Sequence, residues 1–178
     1  MVRKIVKADQ ITYISEFYKN QNFTNRIQTA YIGRFRGHGD IYRTILNFDL
    51  EVFRDSQAFL DQGKPVFLRL NIERNEITKG AIQAGIYRIS SAWDAKYVSW
   101  DNQPAYPLYP DTTFVIQEKW VGLILININS LVKRWLNGFW PNYGLMIKGN
   151  EETDSLVAFS SKIVAGTRSA PVLIQSDE

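Results

Sequence analysis

The sequence predicts an all-β fold: an antiparallel two-sheet β-sandwich of jelly-roll type with one or two short helices in the crossings. Three observations carry that expectation. Most segments alternate apolar and polar residues with a period of two and are bounded by Gly, Asn, Asp and Pro. One segment, by contrast, has helical spacing. The 178 residues, 13% aromatic and 22% charged, suit one globular domain with a real core, and no repeat, low-complexity tract or linker divides them. Residues 1–178 therefore read as a single domain, with 1–7 as a flexible or strand-donating segment.

In chain order, Gln10–Ser15 (QITYIS) and residues 28–33 (QTAYIG) are short β-rich runs separated by a polar loop marked by Asn20, Asn22 and Asn25. Residues 42–50 (YRTILNFDL) alternate, with Leu46, Phe48 and Leu50 on one face. Val66, Leu68, Leu70 and Ile72 then alternate with Arg69, Asn71 and Glu73, the pattern of a half-buried strand with a wet face. Further strands are expected at 84–89, 114–117, 123–128, 143–148, 156–160 and Val172–Gln175. Residues 130–138 (SLVKRWLNG) place Leu131, Val132, Trp135 and Leu136 at helical spacing. Asn129 or Ser130 can cap that helix, and Gly138 can take the left-handed conformation past its end. A second short helix is a candidate over 52–60. Residues 99–111, holding Pro104, Pro107 and Pro110, read as a long structured loop.

Composition excludes several classes of function. A formal net charge of +3 comes from scattered lysines and arginines, and Arg3, Lys4 and Lys7 alone are too few for a phosphate-binding stripe. Nucleic acid is not an expected partner. The chain has no cysteine, which removes disulfides, zinc–thiolate sites and thiol nucleophiles. Its one histidine, His38, cannot form a two-histidine metal site, and a Ser-His-acid triad would have to rest on it alone. In the stretch Gly37-His38-Gly39 it reads as a solvated loop residue. The longest apolar run, 121–126, is far too short to span a membrane, so membrane insertion is not expected. The basic N-terminus is followed by no apolar stretch of a signal peptide. A surface location would then require a trimmed signal or another route.

Four blocks, taken in order, resemble a known pattern. Residues 43–50 (RTILNFDL, with Arg43, Phe48 and Asp49) are similar to the R-x-L-L-x-F-D-L strand of DNRLRE domains, which overlap carbohydrate-binding module family 96 and the disaggregatase-related repeats. Residues 86–93 (IYRISSAW, ending in Trp93) and 98–104 (VSWDNQP, with Trp100, Asn102 and Pro104) resemble that family's V-x-W and V-T-W-N-N-Q-P pair. The third block joins Leu131, Val132, Trp135 and Gly138 to residues 141–150 (PNYGLMIKGN), with Asn142 and Gly144. Phe159 with two serines, and residues 170–173 (APVL), close the pattern. The resemblance implies a β-sandwich of surface and secreted proteins, often appended to polysaccharide-active enzymes, with some members binding acidic polysaccharides such as alginate. It implies binding or scaffolding without catalysis and without a cofactor.

Within that pattern Trp93, Trp100 and Trp135 read as core, because a large aromatic on a half-buried segment contributes most by burial. Asn102, Gln103 and Pro104, like Asn142 and Gly144, read as turn chemistry, and Arg43 with Asp49 as a structural polar pair. The aromatics outside the pattern are the candidate ligand contacts: Trp120, Trp140 with Phe139, Tyr106 and Tyr109, all in expected loops. Covering the ends of the sandwich is the equally available structural use for them. Lys96, Lys119, Arg88 and Lys148 are the polar partners that a glycan would need. The acidic turn with Glu151, Glu152 and Asp154 is a candidate Ca²⁺ site or, more commonly, a solvated turn. No acidic pair can be set at glycosidase separation from sequence, and no catalytic constellation is present.

Two functions from different classes follow. The first is a surface carbohydrate-binding module gripping a polysaccharide through loop aromatics. The second is a self-assembling subunit of a spore-surface or cell-surface layer or appendage, with identical subunits as partners and residues 2–6 as a donor strand. An intracellular domain with an unrelated partner ranks below both.

Overall fold

The computed structural model describes residues 4–24, 28–54, 64–161 and 170–175. Among these residues the chain is an all-β sandwich of antiparallel strands. One sheet has Val66–Asn75 (β5) as its spine. On one edge β5 pairs with Gly122–Asn127 (β8). On the other it pairs in succession with Val172–Gln175 (β11) and Val157–Ser160 (β10). Ile5–Lys7 (β1) extends β11, and Thr29–Arg34 (β3) extends β10. The second sheet runs Gln10–Ser15 (β2), Ile41–Asn47 (β4), Leu145–Lys148 (β9), Ala81–Arg88 (β6), Thr112–Gln117 (β7). The end of β3 also pairs with β4, so one strand joins the sheets and curls the sandwich closed there.

The core follows the period-two pattern. Val66, Leu68, Leu70 and Ile72 of β5 are buried, while Phe67, Arg69 and Asn71 between them are half-exposed. They meet Ile11, Leu46, Ile86, Leu145 and Ile147 of the opposite sheet, with Ala30, Ile32, Val157, Phe159 and Leu173 completing the cluster. The second sheet is unusual in burying both faces. On its outer side Ile14, Ile45 and Met146 form a second cluster with Ile89 and Val98, flanked by Trp93, Trp100, Tyr106, Tyr87 and Tyr143. The connection from β6 to β7, residues 89–111, lies over that face. Apolar residues on consecutive positions of β4 and β9 (Ile45-Leu46, Leu145-Met146-Ile147) are therefore both inside.

Two short helices occur among the described residues. Glu51–Arg54 (α1) falls at the start of the segment expected over 52–60, of which residues 55–60 lie outside the described residues. Asn129–Leu136 (α2) buries Leu131, Val132 and Trp135 as its spacing predicted, and Gly138 takes φ 74° just past its end. Its cap differs from expectation. Ile128 occupies the N-cap without a side-chain bond, and Asn127 Oδ1 accepts the Asn129 N–H from one residue earlier. Gly144 sits at φ 88°, where a Cβ would lie 2.1 Å from the Leu46 carbonyl oxygen, so β9 can approach β4 only with glycine there. Ile5–Lys7 pairs within its own sheet, and residues 1–3 lie outside the described residues. No helix among the described residues is long and apolar enough to cross a membrane.

Candidate functional site

Arg43 of β4 projects onto the outer face of the second sheet and organises what surrounds it. Its Nε and Nη2 donate to the two carboxylate oxygens of Glu151 at 2.8 and 2.9 Å, and Nη1 donates to Gln103 Oε1 at 2.7 Å and to the Tyr106 hydroxyl at 2.9 Å. The guanidinium lies 4.4 Å from the Trp100 ring centre. Gln103 Nε2 in turn donates to the Trp100 carbonyl at 3.0 Å, so the 89–111 loop and the turn after β9 are tied to one cation. Burial opposes the charge of Arg43, but the hydrogen bonds and charge of Glu151 outweigh it and raise its pKa above the ordinary value. The fork geometry satisfies both carboxylate oxygens, as a nearly buried ion pair requires.

This hub supports one wall of an open trough of about 420 Å³. Its floor is Gly85 and Tyr87 of β6, where the tyrosine ring covers the space that a side chain at Gly85 would fill. Lys148 lies 5.2 Å from the Tyr87 and Tyr106 ring centres and 3.6 Å from Glu151 Oε2. Gln83, Asn150, Glu151 and Glu152 complete a lining that mixes aromatic faces with hydrogen-bonding groups. Burial and the nearby Glu151 charge raise the Tyr87 pKa, so this hydroxyl stays protonated and available as a donor. The formal charges of Arg43, Lys148, Glu151 and Glu152 cancel, which suits a hydroxyl-rich ligand rather than demanding an anion.

The sequence-expected candidates separate in space. Tyr106 and Lys148 come together at the trough. Trp140 packs partly against the main core, with Arg88 at 3.8 Å and Arg134 at 4.6 Å from its ring centre and Phe139 edge-on at 5.5 Å. Arg88 is itself paired with Asp111. Trp120 is half-exposed beside Lys119 in the β7–β8 turn, and its carbonyl accepts from Asn75 Nδ2. Tyr109 and Lys96 are exposed elsewhere on the 89–111 loop. No ring–ring contact links Trp120, Tyr109 and Trp140 among the described residues.

The motif positions resolve into distinct structural roles. Trp135 is core; Trp93 and Trp100 are half-buried in the outer cluster, and Trp93 Nε1 donates to the Tyr143 carbonyl at 2.7 Å. Asn102 holds its turn by accepting the Ser99 N–H, Pro104 is buried, and Asn142 bridges the Phe48 carbonyl and the Gly144 N–H. The expected Arg43–Asp49 pair does not form. Asp49 lies past the end of β4, where its carboxylate accepts the Glu51 N–H at the start of α1, and Glu151 takes its place. The acidic turn likewise divides: Glu151 goes to Arg43, and Asp154 accepts from Arg34 Nε at 2.7 Å and the Gly37 N–H at 3.0 Å, which hold its pKa below the usual value. Among the described residues no three acidic or histidine side chains are gathered to hold a metal ion, and Glu151 and Asp154 are drawn to different arginines.

An antiparallel sandwich with an open, ring-floored trough lined by hydrogen-bonding side chains on one sheet face has an architecture suited to binding a ligand. The model of carbohydrate-binding module family 96 matches residues 3–176, nearly the whole chain, and the chain belongs to that family. A comparison with curated proteins gave no match.

Proposed function

We propose that this module binds a polysaccharide, without catalysing any change in it, along the trough between β6, β9 and the 89–111 loop. The observation that carries the reading is the Arg43 hub. Three residues of the recognisable motifs, Arg43, Trp100 and Gln103, are spent on fixing Tyr106 and Glu151 beside Tyr87 and Lys148. The Tyr87 ring offers an apolar face to pyranose C–H groups. Lys148, Gln83 and Asn150 offer donors to hydroxyl or carboxyl oxygens, and Glu152 accepts from hydroxyls. A location at the cell or spore surface, where polysaccharide is met, belongs to the same proposal.

Native gels cast with a neutral glucan, with alginate or with pectin test the reading. Retardation by at least one glycan relative to a blank gel is the expected result. Retardation by a polyuronate that weakens with added salt would assign Lys148 the main ionic contact. A second reading, assembly from identical subunits, is favoured by β8, whose outer edge pairs with no strand among the described residues and which exposes Leu123 and Leu125 beside Val121 and Trp120. A ladder that forms equally with and without glycan, and no retardation, would replace the first reading by the second.

A further inference from the structure

A different part of the molecule carries a second arrangement suited to a ligand. Where β2, β3 and β4 meet, Tyr13, Phe17, Tyr18, Tyr31, Phe35 and Tyr42 surround two adjoining cavities of about 210 and 340 Å³ that share Tyr18, Phe35 and Tyr42 as walls. The rings brace one another: Tyr13 meets Tyr31 edge-on at 5.1 Å, Tyr31 lies 5.8 Å from Tyr42, and Phe17 meets Tyr18 edge-on at 4.8 Å. Yet Phe17 is 64% exposed and Tyr18 is 44% exposed, which side chains serving only to seal the end of a sandwich would not be.

An independent observation points into the same space. Asp40, only 8% exposed, lines the larger cavity, and its Oδ1 has no hydrogen-bond partner among the described residues. A buried carboxylate oxygen without a donor is costly and calls for one. Arg36 stands on the rim with its guanidinium 4.6 Å from the Phe35 ring centre and makes no ion pair among the described residues. Stacking faces, a buried acceptor and a rim donor together match a sugar ring, which has an apolar C–H face and hydroxyls at its edge. The Asp40 carboxylate already interacts with the Tyr42 hydroxyl, which leaves Oδ1 as the oxygen that a purely apolar guest would not answer.

We propose that this cleft is a second carbohydrate-binding site that takes a pyranose unit of a glycan. The C–H face lies against Phe17 and Tyr18, one hydroxyl donates to Asp40 Oδ1, and Arg36 donates to a ring, hydroxyl or carboxyl oxygen. The cleft shares no lining residue with the trough, so the domain has two independent points of contact. Two points on one domain raise avidity for a polymer or bridge two strands of it.

Neutral and anionic glycans supply the same pyranose chemistry, so the test uses one of each. Amide ¹H–¹⁵N spectra are titrated to millimolar concentration with cellohexaose and with hexamannuronate. Signals of Phe17, Tyr18, Arg36 and His38 report the cleft, and those of Gln83, Gly149 and Asn150 report the trough. At least one probe is expected to move the cleft signals. Phe17→Ala and Tyr18→Ala, both at exposed positions, are expected to weaken that binding at least about tenfold while the trough signals respond as in the wild type. Asp40→Ala, with its fold checked by the same spectra, is expected to act like them. A cellohexaose response assigns the stacking and Asp40 contacts the main part; a response to hexamannuronate alone assigns it to Arg36. Silence of the cleft signals toward both probes overturns the proposal, as does unchanged binding by Phe17→Ala and Tyr18→Ala. Silence at the trough with a responding cleft would count against the trough reading and leave the cleft standing.

Discussion

Arg43 was visible in the sequence as a motif residue, but its partner was not, because Glu151 lies 108 positions away and reaches it only after β9 has paired with β4. Alternation along a strand tells which face a side chain takes and nothing about which distant turn will cover it. The energetic consequence is specific. Arg43→Met strips the nearly buried Glu151 carboxylate of its two-pronged partner, leaving it only Lys148 at 3.6 Å, and is expected to cost about 3 kcal/mol in urea denaturation. Adding Glu151→Gln to that variant should return part of the loss, since the poorly paired charge is then gone. The tyrosines of the second cleft set a pH limit. Burial, helped by the neighbouring Tyr31 and Tyr18, pushes the Tyr13 pKa up to about 12. Burial, with Asp40 adding and a Ser15 hydrogen bond opposing, does the same for Tyr42. An unfolded tyrosine ionises near pH ~10, so between that pH and about 12 the unfolded chain releases protons that the folded chain keeps. Stability is expected to be flat below about pH 10 and to fall above it. Tyr13→Phe and Tyr42→Phe together should flatten that decline in urea titrations, and an unchanged slope would contradict the assignment.

At the scale of elements, period-two alternation located most strands directly: Gln10–Ser15 and Val172–Gln175 have the expected bounds, and β5 has its wet and dry faces as read. Alternation fails where both faces of a strand are covered, which is why Leu145, Met146 and Ile147 of β9 are buried in succession before the half-buried Lys148. The cover is the 89–111 loop, and its proline spacing announced a structured loop without saying which face it would lie on. Trp93 is its anchor, packed on the outer cluster and bonded to the Tyr143 carbonyl. Trp93→Ala is expected to destabilise the domain by about 2–3 kcal/mol and to make residues 89–111 the first site of proteolytic nicking. Cleavage elsewhere first would contradict the anchoring role. The tryptophan expectation shows the complementary limit. Being outside a motif marked Trp140 as spare, yet its ring is occupied by Arg88 and Arg134. Tyr13, Tyr31 and Tyr42 stood inside ordinary strands, and nothing in their local pattern announced that three strands would bring them together.

For the whole molecule, the fold class and the family were legible because they depend on local periodicity and on four motifs in order. The sites were legible only in fragments, because each is assembled from segments that are far apart in the chain. The trough joins β6, β9 and the turn after it to the loop carrying Tyr106; of its lining, Lys148, Glu151 and Glu152 were candidates beforehand, the two glutamates for a different ligand. Scattered lysines formed no charged stripe, so the hints about the ligand were the small net charge, the loop aromatics and the resemblance to a family with alginate-binding members. The trough itself balances its charges and points to hydroxyl recognition. The measurement that bears most directly on the function is affinity electrophoresis of Tyr87→Ala/Lys148→Ala beside Trp120→Ala and the wild type, in whichever glycan retards the wild type. Wild type and Trp120→Ala are expected to be retarded alike, and the double variant to run as it does in a blank gel. Full retardation of the double variant, or its loss in Trp120→Ala, would contradict the placement of the polysaccharide in the trough.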